Sequence, residues 1–284
     1  MPNLFKRFKI KSRLSQSTQR TKSCCLATLL LLLLICLLLF GLSYYWAESA
    51  NAQGPADTQQ VLLLIDNSQS MYDKGGVGSD PDLLRIEAAR LFMTYLGVDS
   101  RGPAHELGVI FFGTDAEAVV PLTPLTDTAR RQTMVDLIAN PISMSWTNPH
   151  KALNLAHRMF RQARTTAAQR TVVLLTDGKP EWANDPTATE QDAITANLRQ
   201  NAAALADDDI ALFIILLQNE ATDADPEIES HYIPLWQDMV EQPPRGQFFQ
   251  VRHSHELLDV YHNIVVSVTN RRTDGVILQT AVET

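Results

Sequence analysis

The chain has 284 residues, of which 45% are hydrophobic and 20% charged. This composition excludes a disordered or collagen-like protein and leaves room for one domain of roughly 200 residues with appendages. Seven of its 24 basic side chains and none of its 32 acidic ones fall in residues 1–22, so the remainder holds 17 basic against 32 acidic groups. That acidic remainder does not suit a nucleic-acid partner, because phosphates would be repelled.

The first predicted element is a transmembrane helix at residues 23–47, which carry no charge and are rich in leucine. A helix needs about 20 apolar residues to cross a bilayer. Tyr44, Tyr45 and Trp46 close the stretch, as is typical of a membrane–water boundary. The basic residues 1–22 should remain cytoplasmic, which predicts a single-pass cell-membrane protein whose remaining chain is extracytoplasmic.

A cleaved signal peptide is the alternative interpretation of the same segment. Ala50 and Ala52 fit a small-x-small cleavage pattern, and cleavage after Ala52 would give a secreted protein. Against it, the apolar core is long and three aromatic residues separate it from the cleavage site. All three cysteines, at positions 24, 25 and 36, lie in or beside this segment. The outer domain therefore has no disulfide framework and no thiol nucleophile.

Residues 48–59 are small and polar and predict a linker to a domain at residues 60–270, with a short tail at 271–284. Strand-like and helix-like stretches alternate through this domain. We predict strands at residues 61–65, 107–112, 118–120, 171–176, 210–217 and 247–251, and helices at residues 81–96, 127–138, 149–164, 189–206, 225–240 and 254–268. This alternation predicts an α/β fold with a doubly wound, mostly parallel sheet and helices on both faces.

Local signals set several boundaries of these elements. Asp80 is expected to cap the first helix, with Pro81 at its first position. Pro121 and Pro124 are expected to confine the third strand to a short edge segment. Asn148 is expected to cap the helix that begins at residue 149.

Oxygen-bearing side chains occur where predicted strands end. Asp66, Ser68 and Ser70 follow the first strand, Asp177 follows the fourth, and Thr147 lies in the loop before a helix. Ligands of open parallel sheets bind at the carboxyl ends of the strands, so we expect these five side chains to converge. Each motif alone also occurs in ordinary turns and helix starts, and the site depends on their convergence.

Five such oxygens suit one hard divalent cation. Mg²⁺ prefers six oxygen ligands and keeps several waters, and Mn²⁺ or Ca²⁺ are alternatives. Three hydroxyls add no formal charge, so two carboxylates at most neutralise the cation. A further coordination position could then accept a carboxylate from a protein partner.

These motifs resemble the metal-ion-dependent adhesion site of von Willebrand factor type A (vWA) domains, the fold shared with integrin inserted domains. That site reads Asp-x-Ser-x-Ser, then Thr, then Asp, and Asp66, Ser68, Ser70, Thr147 and Asp177 match it. The likeness covers residues 60–270. It implies a six-stranded, Rossmann-like sheet in the order 3-2-1-4-5-6 with the strand near residue 119 antiparallel at one edge. It also implies Mg²⁺, protein ligands and no catalysis.

The chain departs from the family pattern at two positions. Gln69 and Trp146 stand where the family usually has glycine, and a positive φ at either would strain the backbone. Trp146 is expected either to shape the ligand surface beside the metal or to be buried under its loop. The glycine-rich residues 75–78 lack the Lys-Ser/Thr of a phosphate loop and are interpreted as a flap near the metal.

The sequence therefore predicts a membrane-anchored, extracytoplasmic adhesion module that binds a protein ligand through a divalent cation. No small-molecule substrate and no enzymatic activity are expected. One alternative is a scaffold subunit of a membrane complex in which the metal is incidental. The other is a metal-dependent hydrolase, which is disfavoured because Ser68 occupies the position where an aspartyl phosphotransferase needs a second Asp.

Overall fold

The computed structural model describes residues 58–72, 78–98, 105–163, 169–181, 187–218, 225–244 and 246–270. The predicted transmembrane segment, most of the linker and the tail lie outside these residues. Within the described part, no helix is both long and apolar enough to cross a bilayer.

Six strands form one sheet, and the order β3-β2-β1-β4-β5-β6 confirms the predicted topology. The strands are β1 (Gln59–Asp66), β2 (Glu106–Phe112), β3 (Ala116–Pro124), β4 (Gln169–Thr176), β5 (Ile210–Leu217) and β6 (Gln247–Val251). All neighbours pair in parallel except β2 and β3, which pair antiparallel. The chain winds outward in one direction from β1 and in the other from β4, so the carboxyl ends of these two strands flank the switch point where open sheets bind ligands.

Helices cover both faces of the sheet. They are α1 (Leu84–Val98), α2 (Thr128–Ile138), α3 (Pro149–Gln162), α4 (Ala188–Asp207), α5 (Ile233–Val240) and α6 (Leu257–Asn270). A π-helical turn, Ile228–Tyr232, leads into α5, and a 3₁₀ turn, Ser254–Glu256, precedes α6.

Alternate residues of the central strand point into two separate cores, because successive side chains of a strand face opposite ways. Leu63 of β1 packs in one core with Phe92 of α1 and Tyr261 of α6. Leu64 packs in the other with Phe160 of α3 and is likewise fully buried. Strands buried on both faces explain the continuous apolar runs of the sequence.

The start of α1 differs from the prediction. The helix begins at Leu84, and Pro81 lies in a turn before it. Leu83 adopts a positive φ of 56°, which interrupts the helical backbone between Pro81 and Leu84. The Asp80 carboxylate still caps the helix, because it accepts hydrogen bonds from the backbone N–H groups of Leu84 at 2.8 Å and Arg85 at 3.0 Å.

The third strand is longer than predicted. β3 runs from Ala116 to Pro124 and includes Pro121 as well. Proline is tolerated here because β3 is an edge strand that needs hydrogen bonds on one side only. Its register against β2 also shifts between Leu107 and Ile110, so the pairing is irregular in the part of β3 that contains Pro121.

Two other helix starts differ in detail. Asn148 precedes α3 but gives no side-chain cap; its Nδ2 donates instead to the carbonyl of Thr114 at 2.9 Å. Thr187, which we did not predict as a cap, forms a capping box with Glu190 at the start of α4.

Candidate metal centre

Asp66 lies at the carboxyl end of β1 with its side chain fully buried. One carboxylate oxygen, Oδ1, accepts a hydrogen bond from the backbone N–H of Ser68 at 2.9 Å. The other, Oδ2, accepts one from the hydroxyl of Thr176 at 2.7 Å. The last residue of β4 therefore orients the carboxylate that ends β1, which fixes Asp66 from two sides.

Asp177 follows β4 directly and is also buried. Its Oδ1 accepts a hydrogen bond from the Ser70 hydroxyl at 3.0 Å, and its Oδ2 accepts one from the Ser79 hydroxyl at 2.7 Å. Ser70 Oγ also lies 2.9 Å from Ser68 Oγ. A chain of hydrogen bonds thus connects Asp177 to the loop that follows Asp66.

The loop after β1 turns sharply at these serines. Residues Gln69–Met71 form one 3₁₀ turn, and Ser68 before it has an extended backbone with φ −65° and ψ 165°. Ser68 is buried, whereas Ser70 is exposed. The exposed Ser70 therefore marks the side of the cluster that solvent or a ligand can reach.

Thr147 approaches the same edge of the sheet through its backbone. Its N–H donates to the Glu181 carbonyl at 2.8 Å, and its carbonyl accepts from the Glu181 N–H at 2.9 Å. Glu181 lies four residues after Asp177, so this bridge connects the Thr147 loop to the loop after β4. Within the described part of the chain, no hydrogen bond joins the Thr147 hydroxyl to the other four predicted ligands. The Thr147 residue itself is buried.

Burial changes the acidity of both carboxyl groups. The pKa of Asp66 is raised from 3.8 to about 7, chiefly by burial and then by the nearby charge of Asp177, while hydrogen bonds from Ser68 and Thr176 oppose the rise. The pKa of Asp177 is also raised, chiefly by burial, and hydrogen bonds from Ser79 and Ser70 oppose it. Two buried carboxylates repel each other, and a cation between them would remove the cost of ionising both.

The donor set fits a hard cation that binds oxygen. Carboxylate and hydroxyl oxygens suit Mg²⁺, and neither thiolate nor imidazole is among them. In the described residues, no group of three or more His, Cys, Asp or Glu side chains could form a metal site. Hydroxyl groups would therefore have to supplement the two carboxylates. Asp66, Ser68, Ser70, Thr147 and Asp177 are the residues that could hold the ion.

Sequence reasoning missed two hydroxyls of this cluster, Thr176 and Ser79. Thr176 is adjacent to Asp177, and its position at the end of a buried strand beside β1 was a usable signal. Ser79 follows the glycine-rich residues 75–78, and the backbone bond from its N–H to the Ser70 carbonyl at 3.1 Å brings it to the site. Ser79 and Asp177 are 98 residues apart in the chain, so the sequence has no local signal for their hydrogen bond.

The two departures from the family pattern cause no backbone strain of the predicted kind. Among the described residues, only Leu83 and Asp209 combine a side chain with a positive φ, so Gln69 and Trp146 do not. Trp146 is half-buried, and its backbone N–H donates to the Thr114 hydroxyl at 3.3 Å. Gln69 is exposed beside Ser70.

Comparison with known proteins supports this fold. Residues 61–179 match the sequence profile of the von Willebrand factor type A domain. The PilB minor pilin from Streptococcus sanguinis superimposes with a TM-score of 0.59 at 13% identity over 75% of this chain and 62% of the pilin. The pilus adhesin SpaC from Lactobacillus rhamnosus GG gives 0.59 at 14% over 76% of this chain and 31% of the adhesin. The vWF domain of the type V pili tip protein Mfa5 from Porphyromonas gingivalis gives 0.56 at 11% over 78% of this chain and 98% of that domain.

These identities are low, so the structural likeness shows the fold alone. The chain spans less than two thirds of the PilB and SpaC structures. No curated protein matches it in sequence. The profile match over residues 61–179, which runs from β1 past Asp177, and the order of the six-stranded sheet together support a von Willebrand factor type A-like fold for the described part of the chain.

Proposed function

We propose that this domain binds a protein ligand through a divalent cation, Mg²⁺ in the first place, held by Asp66, Ser68, Ser70, Thr147 and Asp177. The observation that carries the proposal is the hydrogen-bonded chain from Ser68 through Ser70 to Asp177. It brings the loop after β1 and the loop after β4 together at the switch point of the sheet.

The cation would supply a positive centre for a carboxylate of the ligand. The two carboxylates that would hold the cation are buried, and the hydroxyls beside them are neutral. The protein would therefore offset at most the two positive charges of the ion. Exposed Ser70 leaves one side of the cluster open to a partner. We propose a binding module that is not an enzyme.

The setting that we propose is the outer face of a cell membrane. Residues 23–47 would anchor the chain with residues 1–22 in the cytoplasm, or cleavage after Ala52 would release it. The names of the structural neighbours describe a minor pilin, a pilus adhesin and a pili tip protein. They favour adhesion between protein surfaces as the role of this domain.

Affinity capture of the partner in Mg²⁺ and in EDTA tests this function. We expect the full-length chain to retain its partner in Mg²⁺ and to lose it in EDTA and in Asp66→Ala. The exposed Asp136→Ala, on α2, is the matched control and should retain the partner. Equal capture with and without the chelator would instead favour the scaffold alternative, in which the metal is incidental.

A further inference from the structure

A polar cluster, buried except for the half-buried Tyr72, adjoins the candidate metal centre. It consists of Asn67, Tyr72, Asp80 and Arg85, and we call it the Asn67 cluster. Arg85 Nη1 and Asp80 Oδ2 form an ion pair at 2.8 Å, and both side chains have 0% exposure. A buried ion pair is seldom more stabilising than apolar residues of similar volume, so stability alone does not account for it.

Asn67, between the predicted ligands Asp66 and Ser68, bonds to the end of β2 and to the loop before Thr147. Its backbone N–H donates to the Phe112 carbonyl at the end of β2, and its backbone carbonyl accepts from the Met144 N–H, both at 2.7 Å. Its side-chain Nδ2 donates to the Ile142 carbonyl at 2.5 Å. The segment from residue 141 to Thr147 is thereby attached to the loop after β1.

The other side-chain atom of Asn67, Oδ1, is held by the cluster. It accepts hydrogen bonds from the Tyr72 hydroxyl at 2.5 Å and from Arg85 Nη2 at 3.1 Å. The Tyr72 hydroxyl also lies 3.3 Å from the Pro141 carbonyl. The Arg85 guanidinium lies over the Tyr72 ring, 4.8 Å from its centroid, which fixes the two donors relative to each other.

The cluster also reaches the Ser79 side of the site. Arg85 Nη1 donates to both the carboxylate and the backbone carbonyl of Asp80. The Asp80 N–H donates to the Met71 carbonyl at 3.1 Å, and Ser79 before it donates to Asp177. One guanidinium thus bonds directly to the turn before α1 and, through Asn67, to the loops that carry the predicted ligands.

We propose that Arg85 and Tyr72 are positioning residues: they hold the Asn67 side chain, and through it they order the Asp66–Ser70 loop against the Thr147 loop before a cation binds. The inference rests on the proposed function, since it concerns affinity for the same cation. Residues that hydrogen-bond to metal ligands and orient them typically contribute about 10–100-fold to metal affinity.

The test is titration of the full-length chain with Mg²⁺ by calorimetry, with Tyr72→Phe and Arg85→Lys as the variants. Tyr72→Phe removes the hydroxyl that bonds Asn67 and keeps the ring under Arg85. Arg85→Lys keeps a charge for Asp80 but loses the forked donor. We expect Mg²⁺ affinity to fall about 10–100-fold in each. Amide hydrogen exchange at Met144, measured in EDTA, should accelerate because the loop clamp is loosened without any metal present.

Leu198→Ala is the control for loss of stability alone. Leu198 is fully buried in the core on the other face of the sheet. It should lower the midpoint of unfolding yet leave Mg²⁺ affinity and Met144 exchange at their parental values. Tyr72→Phe leaves the buried Arg85–Asp80 ion pair intact, so it remains a valid test even if Arg85→Lys does not fold. A Mg²⁺ affinity of Tyr72→Phe equal to that of the parent overturns the inference. A parent chain that binds no Mg²⁺ overturns the proposed function and this inference with it.

Discussion

The Ser70 hydroxyl donates a 3.0 Å hydrogen bond to Asp177 although 107 residues separate them in the chain. This hydrogen bond joins two side chains and is not part of a helix or of the strand pairing. The contact exists because β1 and β4 are parallel neighbours whose carboxyl ends coincide, with Ile65 opposite Leu175. The topology of the sheet therefore brings the two halves of the predicted site together.

The first prediction concerns the hydroxyl behind Asp66. Thr176→Val removes the donor to Asp66 Oδ2 and leaves a buried carboxylate oxygen without that bond. We expect the variant to lose about 1–3 kcal/mol of unfolding free energy in EDTA, since an unsatisfied buried polar group costs that much. Urea denaturation measures it. The matched change Thr171→Val, at the other end of the same strand, should have a smaller effect. Equal losses in the two variants would contradict the account.

The second prediction is a pH dependence that metal reverses. The pKa of Asp66 rises from 3.8 unfolded to about 7 in the folded chain. A raised folded pKa contributes stability that is fully present below the unfolded value and is lost as pH rises through the folded value. In EDTA, we therefore expect the free energy of unfolding to decline between about pH 4 and pH 7 relative to Asp66→Asn.

Mg²⁺ should offset this decline, because the cation replaces the proton at the two carboxylates. Its stabilisation, measured as the rise in unfolding midpoint at saturating Mg²⁺, should be larger at pH 8 than at pH 5. The same gain at both pH values would mean that the ion does not compete with protons at Asp66 and Asp177.

The third prediction concerns the buried ion pair. Asp80→Ala leaves the Arg85 charge buried without its carboxylate, which is expected to cost about 3–5 kcal/mol. Glu87→Ala, on the same helix, breaks only the exposed pair with Arg90 and should cost less than about 1 kcal/mol. Chemical denaturation of both variants measures the difference. Similar costs for the two pairs would contradict the burial of Arg85 and Asp80.

The fourth prediction concerns Gln69, which stands where vWA domains usually have glycine. Gln69 is exposed and does not have a positive φ, so Gln69→Gly relieves no strain. The variant should lose about 0.4–1 kcal/mol of stability, because glycine makes the unfolded chain more flexible. Its Mg²⁺ affinity should stay within a factor of about two of the parent, since no predicted ligand is removed. A stabilised variant, measured by thermal unfolding, would show that the glutamine strains the loop.

The strands were predictable because their apolar runs are continuous, and the sheet order followed from the likeness to vWA domains. Asp66 and Asp177 were predictable as residues that end such runs. Ser79, Asn67 and Arg85 were not, since their roles depend on hydrogen bonds to residues outside their own local segments. The predicted end of β3 at Pro121 was wrong, because an edge strand tolerates proline within its length and not only at its boundary.

The central claim is that Asp66 and Asp177 bind a cation together with the hydroxyls around them. Calorimetric titration of the full-length chain with Mg²⁺ tests it most directly, with Asp66→Ala, Asp177→Ala and the exposed control Asp136→Ala alongside the parent. The account predicts one Mg²⁺ per chain in the parent and the control, and no measurable binding in the other two. Parental affinity in Asp66→Ala and Asp177→Ala would contradict it.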